Sequence, residues 1–235
     1  MPSSEAAVAN QTHDNPALLH HFASAEQQKN AASFGMWLFL ATEIMFFGGM
    51  FCAYLIYRYW YFGDFGAASK TLDIRLGTIN TAVLICSSFT VAMAVRSAQT
   101  GKRKAIAVFL LLTIVLGLVF LGIKGVEYKA KFEEHHVPGQ ADFHLAGSVP
   151  LHPDLPVNQA HAQMYFSLYF AMTGMHALHM VIGVGLFSFL TYEAWNGRYS
   201  PSYYTPIENG GLYWHFVDII WIYLFPLFYL IERHR

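Results

Sequence analysis

Histidine and acidic side chains inside apolar segments are the residues of this chain best able to do chemistry. His176 and His179 are three positions apart and would share one face of a helix. Two imidazoles so placed can ligate a metal, but a catalytic metal usually takes about three protein ligands. His215 is the only other histidine in an apolar segment. We therefore favour hydrogen bonding between helices over a metal site.

Glu43 is a carboxyl group near the middle of a strongly apolar segment, followed by Met45, Phe46 and Phe47. Burying a carboxylate in hydrocarbon is costly, so such a residue usually faces a bundle interior and often marks function. The sequence leaves two interpretations open: a structural hydrogen bond to another helix, for instance to a histidine or threonine, or a role in proton movement.

The last apolar segment carries a second set of polar residues. His215 and Asp218 are three positions apart, and Glu208 precedes them at the start of the segment. Trp214, Asp218, Trp221 and Phe225 form a stripe at helical spacing. An acid and an imidazole on one face can bond each other or a neighbouring helix, which offsets the cost of burying both. We predict a fixed network between helices here.

Lys124 and Glu127 close the third apolar segment, again three positions apart. The expected arrangement is a solvated ion pair near the membrane surface, where such a pair contributes little to stability.

The composition of the chain indicates which kind of structure holds these residues in place. Hydrophobic residues make up 55% of the 235 and charged residues only 12%, about half the usual charged share. A net charge of -1 gives no reason to expect a nucleic-acid partner. Cys52 and Cys86 lie in apolar runs without CxxC spacing, so we expect small core residues rather than a disulfide or a metal site.

Five apolar segments are long enough to cross a bilayer as helices, which takes roughly 17 to 25 residues. The sequence therefore predicts an all-α integral membrane protein, a bundle of five transmembrane helices within 34–235. The predicted spans are 34–56, 74–95, 105–123, 163–191 and 212–231.

Residues 1–33 are polar and lack the pattern of a signal or transit peptide, so we expect a disordered or surface-lying tail. Trp60 and Trp214 are interpreted as interface anchors. The densest basic run, 102–104, would be cytoplasmic by the positive-inside rule. This places the N-terminus inside and the C-terminus outside a bacterial inner membrane.

Several of these segments are similar to one known family. Tyr213 to Asp218, followed by Ile219-Ile220-Trp221, resembles the signature of subunit III of haem-copper terminal oxidases. The pattern Thr173-Gly174-x-His176-x-Leu178-His179, with Gly183, resembles the penultimate helix of that family. Glu43, Asn80-Thr81 and Glu127-Tyr128 fall where the family has such residues. The match runs in order through all five segments, which makes it specific.

The resemblance implies an accessory subunit of a proton-pumping cytochrome c oxidase that holds no haem, copper or other metal itself. Haem and copper would lie in subunit I, and subunits I and II would be its partners. Phospholipid would bind in a cleft between helix groups, and the chain would support proton uptake and stability. Glu43 would be the buried carboxylate of the family. The remaining polar residues would belong to its helical framework: His176, His179, Glu208, His215 and Asp218.

Three features depart from the family pattern. Seven-helix members have two more helices before the one matching 34–56, where this chain has its polar tail. Those helices form one arm of the family's lipid cleft, so we expect that arm to be missing here or to be supplied by helices fused to subunit I. At the end of the penultimate segment, where a basic side chain could meet a lipid headgroup, this chain has Thr191-Tyr192-Glu193, and Arg198 comes a few residues later. The loop 127–162 is long and contains five histidines; docking of a partner is favoured over metal binding. These histidines are His135, His136, His144, His152 and His161.

Other functions stay open at this point. Within the family, a quinol oxidase subunit or the related accessory subunit of nitric oxide reductase fits the same pattern. A histidine-box membrane oxidase would need clustered HxxxH and HxxHH motifs, and the segments contain a single His-x-x-His pair. A transporter would be expected to show an internal repeat or paired broken helices, and neither is evident.

Overall fold

The apolar stretches form long helices in the computed structural model, which describes residues 22–139, 143 and 157–231. Six helices lie in this part of the chain. They are α1 (Ala25–Trp60), α2 (Phe62–Ser69), α3 (Ile74–Gln99), α4 (Arg103–Glu133), α5 (Gln159–Trp195) and α6 (Thr205–Tyr229).

Five of these helices, all except the short α2, are long and apolar enough to cross a membrane. The predicted all-α fold with five spans is thereby confirmed. Most of the helices extend beyond the predicted spans. α1 begins at Ala25, inside the stretch expected to be a polar tail, and α4 continues to Glu133. Backbone hydrogen bonds carry a helix past its apolar window, so hydropathy locates the span but not the helix ends.

Side-chain caps explain where three helices begin. Ser24 accepts a hydrogen bond from the Gln27 amide at the start of α1. Asp73 does the same for Arg75 before α3, and Asn158 for Ala160 before α5. Each cap satisfies an amide that the first helical turn leaves unpaired.

The helices pack with α6 at the centre: α6 contacts α1, α3 and α5, while α4 lies against α3 and α5. Trp214 of α6 is fully buried. Its ring occupies a notch formed by two glycines, because a Cβ atom at either Gly117 or Gly183 would lie 2.9 Å from the ring. Trp214 is therefore an interior packing residue, and its interpretation as an interface anchor was wrong.

Other residues lie on the outside of the bundle. Trp60 is 64% exposed, at the end of α1 where an anchor was predicted. Cys52 and Cys86 are free and exposed, so the prediction that they are core residues was wrong. Both point away from the helix contacts, where lipid or another subunit can cover them.

Candidate functional site

Glu43 and His179 form a contact between α1 and α5. The Nε2 atom of His179 lies 3.1 Å from a carboxyl oxygen of Glu43, and the side chains are only 10% and 19% exposed. The other ring nitrogen of His179 lies 2.8 Å from the Met175 carbonyl of its own helix. Since a carbonyl only accepts, this Nδ1 carries a proton in the contact. The imidazole is thus held on one side by its helix while the other side meets the carboxyl.

The His179 ring also packs edge-on against Phe47, with the two ring centres 5.3 Å apart. Phe47 follows Glu43 by one helical turn and is buried. The carboxyl–imidazole pair is therefore shielded by an aromatic ring on the helix that carries the carboxyl, which strengthens the interaction by excluding water.

His176 is one turn before His179 on α5 and is fully buried, with neither ring nitrogen bonded to a described residue. Its ring packs between Phe120 and Trp221, at centre distances of 5.5 and 5.3 Å. The two histidines therefore have separate surroundings. In the described part of the chain, no group of three His, Cys, Asp or Glu side chains is placed to hold a metal ion.

A second polar cluster lies deep between α4, α5 and α6. Lys124 and Glu127 form an ion pair of 3.0 Å, and each side chain is 3% exposed. Lys124 Nζ also donates to the hydroxyl oxygens of Tyr169 and Tyr229, at 3.1 and 3.0 Å. Both tyrosines in turn donate to Glu127. The expectation of a solvated pair was wrong, because α4 continues beyond Glu127 and two other helices cover it.

Aromatic faces complete the surroundings of the Lys124 ammonium group. It lies 5.0 Å from the ring centre of Trp221 and 5.1 to 5.6 Å from three tyrosine rings. Charge, hydrogen bonds and π faces together compensate the loss of hydration of this cation. The cluster neutralises itself, with one positive and one negative group.

His215 and Asp218 do not bond each other. His215 Nδ1 lies 2.7 Å from the hydroxyl of Ser88 on α3. Ser88 also lies against the Asp218 carboxyl, although neither carboxyl oxygen has hydrogen-bond geometry with a described residue. Ser88 was not predicted; its place near the middle of the second apolar segment is the only signal for it.

Glu208 and Arg198 lie away from these clusters, at the end of the bundle where α6 begins. Glu208 is 3.8 Å from Lys29 of α1, and both side chains are partly exposed. Arg198 donates to Glu193 at 2.7 Å, and Tyr199 donates to the other oxygen of the same carboxylate. Burial and the Glu193 carboxylate raise the pKa of the Tyr199 hydroxyl, so it remains a donor. Glu208 is thus an end contact and not part of an interior histidine network.

The predicted family positions on α3 have different surroundings. Asn80 is fully buried, and its side-chain amide has no partner among the described residues. Thr81 accepts a hydrogen bond from the Trp221 indole at 3.1 Å. Thr81 therefore links α3 to α6.

The histidine-rich stretch is shorter as a loop than predicted. His161 belongs to α5, where its ring stacks on Tyr61 at 3.7 Å and its Nδ1 lies 2.6 Å from an Asp64 oxygen. His136 stacks on Phe166 at 5.1 Å. His144 and His152 lie outside the described residues. His136 and His161 are thus engaged in separate contacts, whereas His135 is exposed. Partner docking in this stretch stays a prediction.

The geometry defines a class of protein: a multi-pass helical membrane protein with paired polar groups inside and a bare apolar exterior. Comparison with known proteins gives the family. The family model described as Cytochrome c oxidase subunit III matches residues 19–147 and 158–232. The chain belongs to the cytochrome c oxidase subunit III family, as its motifs predicted.

Two relatives illustrate the similarity. "Probable cytochrome c oxidase subunit 3" of Nocardia farcinica is 30% identical over 203 residues, which cover 86% of this chain and 89% of the relative. "Cytochrome c oxidase subunit 3" of Gallus gallus is 31% identical over 202 residues, covering 83% of this chain and 68% of the relative. The chain is therefore a subunit III of a haem-copper terminal oxidase, in a complex with other oxidase subunits.

Proposed function

We propose that this chain is the accessory subunit of a proton-pumping cytochrome c oxidase that holds no redox centre itself, packs on subunit I, and supports proton uptake and stability. The observation that carries the proposal is the Glu43–His179 pair, 3.1 Å apart at the edge of a bundle whose outer face is apolar. A carboxyl and an imidazole in contact can pass or hold a proton without a metal. Subunit II and cytochrome c, as electron donor, complete the proposed assembly.

An apolar groove beside this pair supports lipid binding. The groove lies between α1 and α6, has a volume of about 630 Å³, and is lined almost entirely by apolar residues such as Trp37, Phe51 and Tyr223. We infer that a phospholipid acyl chain occupies it. Gly48 contributes to the wall of the groove, and nothing lies within 4 Å of its Cβ position. An acyl chain can therefore pack directly against the helix there.

We infer the orientation from the charges at the ends of the helices. The end of the bundle that holds the start of α1 also holds the α3–α4 turn with Lys102, Arg103 and Lys104, and the α5–α6 connection with Arg198. By the positive-inside rule this end faces the cytoplasm of a bacterial inner membrane. Lipid headgroups are expected near Arg198 and Trp60, at opposite ends.

The test is purification of the complex through a tag on this chain, followed by an optical haem spectrum and metal analysis. The expected result is co-purification with a haem-bearing subunit, and no iron or copper after this chain is separated from it. A complex without a haem-copper subunit, or a stoichiometric metal on the separated chain, would overturn the proposal. Lipid mass spectrometry of the same sample tests the groove.

A further inference from the structure

A pocket with unpaired polar groups opens sideways from the bundle between α3 and α6. Its volume is about 480 Å³, and its polar wall consists of Ser88, His215 and Asp218. Asp218 is 4% exposed. Neither Glu43 nor His179 lines this pocket, and His215 and Ile219 lie between it and the groove between α1 and α6, since they line both.

The position of these groups along α6 places them at membrane depth. α6 begins at Thr205, and a rise of about 1.5 Å per residue puts His215 about 15 Å and Asp218 about 20 Å along the helix. The hydrocarbon core is about 30 Å thick. A lipid headgroup therefore cannot reach the pocket from either surface.

Hydrogen bonding within the pocket is incomplete. The one hydroxyl proton of Ser88 can serve His215 or Asp218, but not both. Both oxygens of Asp218 lack a hydrogen-bond partner among the described residues, and no described residue bonds His215 Nε2. The hydrocarbon around the bundle supplies no water, and an acyl chain offers no hydrogen bond, so a lipid in the pocket would leave these groups unpaired.

The rim of the pocket is suited to a helix. Large apolar side chains that are about half exposed or more surround the polar wall: Ile85, Phe89, Ile219 and Ile222. Apolar contact around a central polar group is the usual arrangement of an interface, since the rim excludes water from the hydrogen bonds inside. Interhelical hydrogen bonds of this kind are typical of membrane protein interfaces.

We propose that this pocket docks a transmembrane helix of another oxidase subunit, which inserts a hydroxyl or amide side chain against Asp218 and His215. Such a side chain both donates and accepts, as the acid and the imidazole together require. The inference rests on the proposed function, because it needs a partner subunit in the membrane.

The test uses a photo-crosslinking amino acid at Ile222 in the full complex in its native membrane. Ile222 lines the pocket and is 48% exposed; Leu118 of α4, at 52%, is the matched position away from it. The expected result is an Ile222 adduct with one other membrane subunit, weakened in Asp218→Ala and Ser88→Ala. Asp218→Asn, which keeps hydrogen bonding, should restore it.

The same variants give a second readout. Loss of the chain from the detergent-solubilised complex should be about 3- to 15-fold faster in Asp218→Ala than in wild type, the range expected for one interhelical hydrogen bond. Labelling of lipid alone, or of a second copy of this chain, would overturn the docking inference. If the chain purified without any haem-copper subunit, the proposed function itself would fail. The crosslinking result on Ser88→Ala keeps the test valid if Asp218→Ala does not fold.

Discussion

Glu43 and His179 are 136 positions apart in the chain, yet a carboxyl oxygen of one lies 3.1 Å from the imidazole of the other. The pair joins α1 to α5 at a depth where neither side chain is well solvated. The contact joins two ionisable side chains, and the His179 ring also packs against Phe47 of α1.

Glu43→Ala should leave the complex assembled but make it lose activity faster during turnover. The substitution removes an interhelical hydrogen bond, worth about 0.6 to 1.7 kcal/mol in membranes, and leaves His179 Nε2 without its partner. The measurement is oxygen consumption over repeated turnovers, with complex yield measured in parallel. Glu43→Gln keeps a hydrogen-bonding group and is the control: if it behaves like alanine, the proton matters and not the bond. Unchanged assembly and sustained turnover in Glu43→Ala would show that the pair is dispensable.

Lys124→Met should be strongly destabilising. It leaves the Glu127 carboxylate buried with only hydroxyl donors, and breaking a buried pair from one side typically costs about 3 to 5 kcal/mol. The double variant Lys124→Met/Glu127→Gln removes both charges and should recover much of that loss. Thermal unfolding of the purified complex measures both.

Lys129→Met is the matched control for the buried pair. Lys129 forms an ion pair with Glu133 on the same helix, but the two side chains are 78% and 69% exposed. Solvent screening makes such a pair nearly neutral for stability. Equal effects of the two lysine substitutions would contradict the account given of the buried cluster.

Gly183→Ala should destabilise the contact between α5 and α6. Its Cβ would lie 2.9 Å from the Trp214 ring, and overpacking of this kind costs about 1 to 3 kcal/mol. Gly122→Ala is the control, since nothing lies within 4 Å of its Cβ position and alanine favours the helix. The measurement is thermal stability of the two variants in detergent. A loss of stability in Gly122→Ala but not in Gly183→Ala would contradict the packing described here.

Acidification should weaken the end of α4 through His136. Burial, together with the nearby Lys131 ammonium, lowers the pKa of His136, against an opposing effect of Glu134. His135 also lies close and acts in the same direction as Lys131. The folded state thus binds a proton less readily than the unfolded one, so stability falls as the pH drops below the ordinary histidine pKa of about 6.5.

His136→Phe keeps the stacking on Phe166 and removes the titration. Its stability should therefore change less between pH 7.5 and 5.5 than that of the wild type, as measured by thermal unfolding at both values. A steeper pH dependence in the variant would contradict the assignment.

The sequence predicted the spans and the family but only part of the site. Hydropathy locates helices such as α4 because every residue of the window contributes to it. The partner of Glu43 depends instead on how α1 and α5 align, which no local pattern encodes. A histidine was expected as a possible partner, but the sequence did not indicate which histidine.

Lys124 and Glu127 show why the remainder could not be predicted. Their spacing correctly indicated one helical face, but the apolar window ended at 123, so they were placed at the surface. They are covered by Tyr169 of α5 and Tyr229 of α6, which follow Glu127 by 42 and 102 positions in the chain. Burial is a tertiary property, and it reverses the expected energetics of an ion pair.

The arrangement of α1 has a consequence for how the protein is made. Among the described helices, α1 makes most of its contacts with α6, and the Tyr54 hydroxyl bonds to the Leu227 carbonyl at the far end of that helix. The first of these helices to leave the ribosome thus has its docking surface on the one synthesised after all the others. Until α5 enters the bilayer, the Glu43 carboxyl has no His179 to meet, and the docking surface of α1 is complete only after α6 has followed.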